Sequence, residues 1–171
     1  MMIWIDSREK DHAIQKILNH FQSVHTKYFV SKLPVGDYMS LDNPRLVIDR
    51  KQNLSELCQN VCQDHKRFRS ELERANEYGI KLIILCEHGG AVKELKDVIH
   101  WINPRLRLSP MAMSGERLYK VLSAMGEKYG VRFEFCKKAD TGEVYVLEFS
   151  RESVRFAEQR GFKISELLDF P

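Results

Sequence analysis

The run Lys-Leu-Ile-Ile-Leu-Cys at Lys81–Cys86 constrains the fold more than any other stretch. Its apolar part, Leu82–Cys86, leaves no polar face for solvent, so a strand here must be covered on both sides. No longer apolar run exists in the chain, and this one is far short of the ~18 residues a membrane span needs. A strand covered twice calls for helices on each face of its sheet, and amphipathic segments flank it in both directions. The 171 residues are enough for one domain with one well-buried core.

Met2–Asp6 is a short apolar segment ending in an acid and is predicted to be a buried strand. Ile14, Ile17, Leu18 and Phe21 recur at helical spacing behind a candidate N-cap, Asp11. Lys27–Ser31, rich in aromatic and β-branched residues, predicts a second strand that Pro34 ends. Gly36-Asp37 then opens a hairpin with arms Tyr38–Leu41 and Leu46–Arg50 around the turn Asp42-Asn43-Pro44. Leu54, Leu57, Val61, His65, Phe68, Leu72 and Ala75 form one stripe, read as a single long helix closed by Gly79. Past the looser stretch holding Gly89-Gly90, Ser114 caps a helix with Leu118, Val121, Leu122 and Met125. Val131–Cys136 is a last strand, and the chain from Thr141 reads as helical, with Val144, Leu147 and Phe149 partly apolar. Strands and helices alternating around one continuous apolar strand make an α/β sandwich with a mixed sheet.

Chemistry concentrates at strand ends. In Val47-Ile48-Asp49-Arg50-Lys51, residues 49 and 51 share a face of their strand, and Asp37 opens the partner arm of the same hairpin. Two carboxylates from different strand ends suit a hard cation such as Mg²⁺ or Mn²⁺. A lysine beside them can offset charge on a phosphoryl oxygen or orient water, as metal-assisted phosphodiester hydrolysis requires. On spacing alone, a surface hairpin with solvated charges explains the same residues.

Asp6-Ser7-Arg8-Glu9, Gly36-Asp37-Tyr38 and Val47-Ile48-Asp49-Arg50-Lys51, in this order, resemble the nuclease domain of the XPF family of structure-specific endonucleases. That family's signature is Gly-Asp followed by Glu-Arg-Lys-x3-Asp. The resemblance implies a restriction-endonuclease-like fold of the PD-(D/E)xK class, with a central mixed sheet flanked by helices. It takes in residues 1–150 as the nuclease domain, leaving 151–171 as a helical tail packed on it. It also implies Asp37 and Asp49 as metal-binding carboxylates for Mg²⁺, with Mn²⁺ able to substitute, Lys51 as the lysine of the reaction, and Asp6 as a further acid near the metal. Arg50 and Arg8 would shape the site or contact phosphate, with Glu9 a further candidate. Two departures stand out: Asp49 replaces the usual Glu, and Ser55 stands where the final Asp belongs, with Glu56 one step later. Either Glu56 substitutes from that shifted position or the ligand is missing.

The implied substrate is branched or flapped DNA. The implied assembly is a homodimer built from the 114–130 helix and the segment after Thr141, or a heterodimer with a related subunit. A catalytically weak DNA-binding module and a non-catalytic partner subunit are the competing functions. The expectation is a compact form without a following helix-hairpin-helix module, similar to bacteriophage or prophage versions. The N-terminus carries no secretion signal, which makes a cytoplasmic location the expectation.

Net charge is +3, and the excess lies in residues 90–138, with ten Lys/Arg against five Asp/Glu. Lys66, Arg67 and Arg69 are either a solvated helix face or phosphate contacts, and Arg105 and Arg107 either a DNA-tracking loop or ordinary surface. Cys58, Cys62 and His65 share helical spacing, but without a fourth ligand they read as core rather than as half a zinc site. The four cysteines, which include Cys86 and Cys136, are expected to be reduced and mostly buried.

Overall fold

The computed structural model describes residues 1–159, with side chains through Ser153. Six strands are present: β1 (Met2–Asp6), β2 (Lys27–Ser31), β3 (Tyr38–Ser40), β4 (Leu46–Lys51), β5 (Lys81–Cys86) and β6 (Arg132–Phe135). They form one sheet in the order β2-β1-β3-β4-β5-β6. β3 runs antiparallel to β1 and β4, and the other pairs are parallel. The apolar run Lys81–Cys86 is β5, an interior strand paired on both edges. Its side chains from Leu82 to Cys86 are all buried.

The two faces carry different layers. Helices α1 (Asp11–Ser23) and α5 (Thr141–Gln159) cover one, where Ile14, Ile17, Phe21, Tyr145 and Phe149 meet Ile3, Ile5, Leu46 and Ile48. Helices α2 (Leu54–Cys62), α3 (His65–Glu77) and α4 (Gly115–Tyr129) cover the other. There Leu57, Phe68, Leu72, Leu118 and Leu122 meet Val47, Leu82 and Ile84. Alternation along β4 therefore sends Leu46, Ile48 and Arg50 to the first layer and Val47, Asp49 and Lys51 to the second. Truncating a fully buried residue such as Ile48 to alanine would cost about 2–5 kcal/mol.

Several sequence expectations change. The single helix expected from Leu54 to Ala75 is two helices, broken at Gln63-Asp64. None of Gln63, Asp64 and His65 is buried, so the break leaves the core intact and each half buries its own apolar side. His65 consequently leaves the stripe for the surface. Asp11 is not the N-cap of α1. Lys10 holds that position, and Asp11 sits in the first turn, where its charge meets the positive end of the helix. Cys58 and Cys86 are buried, but Cys62, at the last turn of α2, is exposed and Cys136 only half-buried.

α5 runs without interruption across residue 150, and residues 160–171 of the expected tail lie outside the described residues. α4 and α5 occupy opposite faces, and much of the apolar content of α5 is consumed by the core, leaving Leu147 exposed. Among the described residues no helix is long and apolar enough to cross a membrane.

Candidate active site

The ends of β1, β4 and β5 and the start of β3 converge at one edge of the sheet. The turn before β3 is fixed by backbone bonds on both sides. Asp37 N–H donates to Ile48 O at 3.0 Å, and Asp37 O accepts from Asp6 N–H at 2.8 Å. Gly36, at φ +63, is in the left-handed region, and a Cβ there would run into Val47 Cγ1. These constraints bring Asp37 against Asp49 across the hairpin. One carboxylate oxygen of Asp37 accepts the Arg50 backbone N–H at 2.8 Å.

Asp37, Asp49 and Lys51 form a triad in which Asp49 and Lys51 are buried and Asp37 is half-buried. Lys51 Nζ lies 2.6 Å from Asp49 Oδ2, with the two side chains 8% and 5% exposed. That contact is a close ion pair that takes up a buried Asp49 oxygen. Burial, and then the charge of Asp49, push the Asp37 carboxyl well above the ordinary carboxylate range. Burial works against the Lys51 ammonium, but Asp49 and Asp37 outweigh it and raise its pKa above the ordinary lysine value. The lysine therefore stays charged. The Phe68 ring, 5.7 Å from Lys51 Nζ, closes the site from α3.

Two carboxylates side by side at converging strand ends, with the Lys51 ammonium against one of them, fit a hard divalent cation. Among the described residues no group of three or more His, Cys, Asp and Glu side chains could cage an ion. Two carboxylates with the remaining positions left to water and substrate phosphate is the ordinary manner of Mg²⁺ binding.

The other residues singled out from sequence are distributed around this triad. Asp6 is fully buried with both oxygens engaged. Oδ1 accepts Arg8 Nε–H and the Arg8 backbone N–H, both at 2.7 Å, and Oδ2 accepts Arg8 Nη2 at 3.0 Å and Leu33 N–H at 2.7 Å. Burial opposes its charge, yet these bonds pull its pKa below the ordinary value. Arg50 points to the opposite face of β4. Its guanidinium is 3% exposed and paired with Glu9 at 2.9 Å and Glu87 at 3.0 Å. Glu9 also accepts Tyr38 O–H at 3.1 Å, and Glu87 accepts Thr141 O–H at 2.7 Å. Glu56 caps the chain after Lys51. One of its oxygens accepts Gln52 N–H at 2.8 Å, while its own N–H donates to Asn53. Ser55 is exposed beside it.

Lys66, Arg67 and Arg69 are exposed at the start of α3, the helix that lays Phe68 on Lys51, and Arg69 is paired with Glu73 at 2.7 Å. Arg105 and Arg107 are exposed in a 3-10 turn, Pro104–Arg107. Buried Asn103 anchors that turn by accepting Arg105 N–H and donating to Met113 O at 2.9 Å. Arg105 and Arg117 line a cleft of about 460 Å³ between α2 and the 103–113 loop. Cys58 and Cys62 are 3.8 Å apart at their sulfurs, without a third ligand among the described residues.

Sequence reasoning did not single out Glu71, Glu87 or Thr141. Glu71 offered only a weak signal, an acid one turn past Phe68 on the core-facing side of a helix. Glu87 was legible only as the residue ending β5, and nothing in sequence joins Thr141 to it.

A mixed sheet between two helical layers, with acids and a lysine at converging strand ends, is the arrangement of the restriction-endonuclease-like class. The chain belongs to the ERCC4 domain family, whose model matches residues 5–147. A second model, of a domain of unknown function, matches residues 128–171. Among solved structures the chain is similar to XPF from Aeropyrum pernix, with 22% identity and a TM-score of 0.65 over 100% of this chain and 74% of that one. The same protein in complex with DNA matches at 19% identity and a TM-score of 0.60, over 99% and 74% of the two chains. No curated protein matches.

Proposed function

We propose that this protein is a divalent-metal-dependent DNA endonuclease that hydrolyses phosphodiester bonds in branched or flapped DNA. The observation that carries the reading is the Asp37–Asp49–Lys51 triad, two carboxylates and a buried lysine brought together at converging strand ends. Asp37 and Asp49 would hold Mg²⁺ or Mn²⁺, which supplies Lewis-acid stabilisation and a lowered pKa for bound water. Asp6, with its oxygens taken by Arg8 and Leu33, braces the end of β1 against Asp37 rather than offering a free ligand. Glu56 holds the chain that leaves Lys51.

Lys51, kept cationic by the two acids, stabilises charge developing on a phosphoryl oxygen, a role that needs a fixed, poorly hydrated cation. Arg50 is committed to Glu9 and Glu87 and so shapes the site from the opposite face. The DNA grip falls to exposed cations, Lys66, Arg67 and Arg69 on α3 and Arg105 and Arg107 on the neighbouring loop, acting through phosphates.

A homodimer is the assembly proposed. Because α4 and α5 lie on opposite faces, an interface using both must run across the β6 edge of the sheet. Sedimentation in solution tests this, and a monomer with full activity rejects it. A cytoplasmic location belongs to the same proposal, because the DNA substrate lies there.

The test of function is a set of labelled linear, flap, fork and four-way substrates incubated with Mg²⁺, Mn²⁺ or EDTA. Cleavage of the branched forms that EDTA abolishes is expected. Retention of DNA without cleavage in any metal rejects the enzyme and returns the binding-module reading.

A further inference from the structure

Helix α3 touches the candidate site at two points one turn apart. Phe68 lays its ring against the Lys51 ammonium, and Glu71, three residues on and thus on the same side of the helix, reaches the turn that carries Asp37. Glu71 Oε1 accepts the Gly36 backbone N–H at 3.0 Å. Gly36 is the residue whose left-handed backbone no side chain could replace. Asp37, next in sequence, has its own N–H and C=O tied to Ile48 and Asp6. The bond from Glu71 fixes the remaining loose end, the peptide on the N-terminal side of the turn.

We infer that Glu71 is a positioning residue, which holds the Gly36-Asp37 turn against α3 and so keeps the Asp37 carboxylate opposite Asp49. The inference rests on the proposed role of Asp37 and Asp49. The acid is well chosen, because a bond from a neutral N–H to a charged acceptor is stronger than one to a neutral acceptor. Its negative charge also acts on Lys51 and Arg8, the two cations on either side of the turn. Neither of the other acids near the turn can substitute for it, since Glu9 is engaged by Tyr38 and Arg50 and Asp6 by Arg8 and Leu33. Leu72 and Ala75, buried in the second-layer core, anchor the helix that makes both contacts.

The test compares the wild-type protein with Glu71→Ala, Glu71→Gln and Asp49→Asn in three measurements. These are hydrogen exchange at the Gly36 amide, Mn²⁺ affinity by calorimetry, and steady-state cleavage of a flap substrate. Glu71→Ala is expected to speed Gly36 exchange at least tenfold, to weaken Mn²⁺ binding about tenfold, and to lower kcat at least tenfold with KM for DNA within twofold. Glu71→Gln, whose amide oxygen can accept the same bond, is expected to recover most of each loss. Glu71→Asp, with a reach one methylene shorter, is expected to behave like alanine and serves where alanine does not fold.

Wild-type Mn²⁺ affinity and kcat in Glu71→Ala, despite faster exchange at Gly36, would overturn the inference and leave Glu71 as part of the scaffold. A glutamine variant as impaired as alanine would also overturn it, because charge and not the hydrogen bond would then matter. Failure of the function itself looks different. A wild-type protein no better than Asp49→Asn in Mn²⁺ binding and cleavage removes the proposed site, and this inference with it.

Discussion

Replacing Arg50 with methionine removes the one cation from a buried cluster on the first-layer face of β4. Its guanidinium meets Glu9 at 2.9 Å and Glu87 at 3.0 Å, and the Glu87 carboxylate is 1% exposed. Methionine fills much of the volume but pairs with neither acid. Glu87 keeps only the Thr141 hydroxyl, and leaving a buried carboxylate without its cation costs about 3–5 kcal/mol. Glu9, at 13% exposure and still bonded to Tyr38, is nearer water and adds less, about 1 kcal/mol for the missing hydrogen bond. The sum is about 4–6 kcal/mol. At about 2–4 °C per kcal/mol for a chain of this size, Tm should fall by about 8–24 °C. Circular dichroism followed through heating and through urea at pH 7 measures both. Adding Glu87→Gln to the methionine variant should restore a large part, because the buried charge is then gone, and the cycle should show a coupling above about 1 kcal/mol. A loss under 1 kcal/mol in Arg50→Met, with no coupling to Glu87, would refute this reasoning and free Arg50 to contact phosphate.

Asp37→Asn should stop cleavage yet stabilise the fold. The folded-state pKa of Asp37 is raised by burial and by Asp49, so its stabilising contribution is full below the unfolded value and is lost as pH rises through the folded one. The advantage of the asparagine in urea should therefore widen from pH 5 to pH 8, and an unchanged difference would contradict the assignment. Asp49→Asn should weaken Mn²⁺ binding in calorimetry. Lys51→Ala should leave that binding equal or tighter, since every ligand remains and a nearby positive charge is gone, while both variants lose cleavage and keep DNA binding in Ca²⁺. Arg105→Glu with Arg107→Glu should weaken binding to all DNA sequences alike and flatten the plot of log K against log salt by about 0.9 for each phosphate no longer neutralised. An unchanged slope by fluorescence anisotropy would make these arginines plain surface.

The parts of the fold legible in sequence are those written in short-range periodicity. The strand at Lys81–Cys86 followed from its unbroken apolar run, and the hairpin from Gly36 and the Asp42-Asn43-Pro44 turn. The break between α2 and α3 was not legible, because Val61, His65 and Phe68 keep helical phase across it. What ends α2 is the absence of any buried residue at Gln63–His65, a property of the packed chain. A strand's two-residue period puts Asp49 and Lys51 on one face, but reading them with Asp37 as a site took the resemblance to the nuclease family. The bonds from Glu71 to Gly36 and from Thr141 to Glu87 span 35 and 54 residues. No local pattern encodes such pairs, which follow only from how the layers pack.

The Thr141–Glu87 bond has a mechanical consequence. Thr141 is the first residue of α5, Glu87 follows β5 directly, and Glu87 grips Arg50, which lies between Asp49 and Lys51 on β4. Each link in that series is a buried polar contact of 2.7–3.0 Å. The first turn of α5 and the strand that carries Asp49 and Lys51 are therefore tied through two side chains, so that moving one without the other would break a buried charged contact.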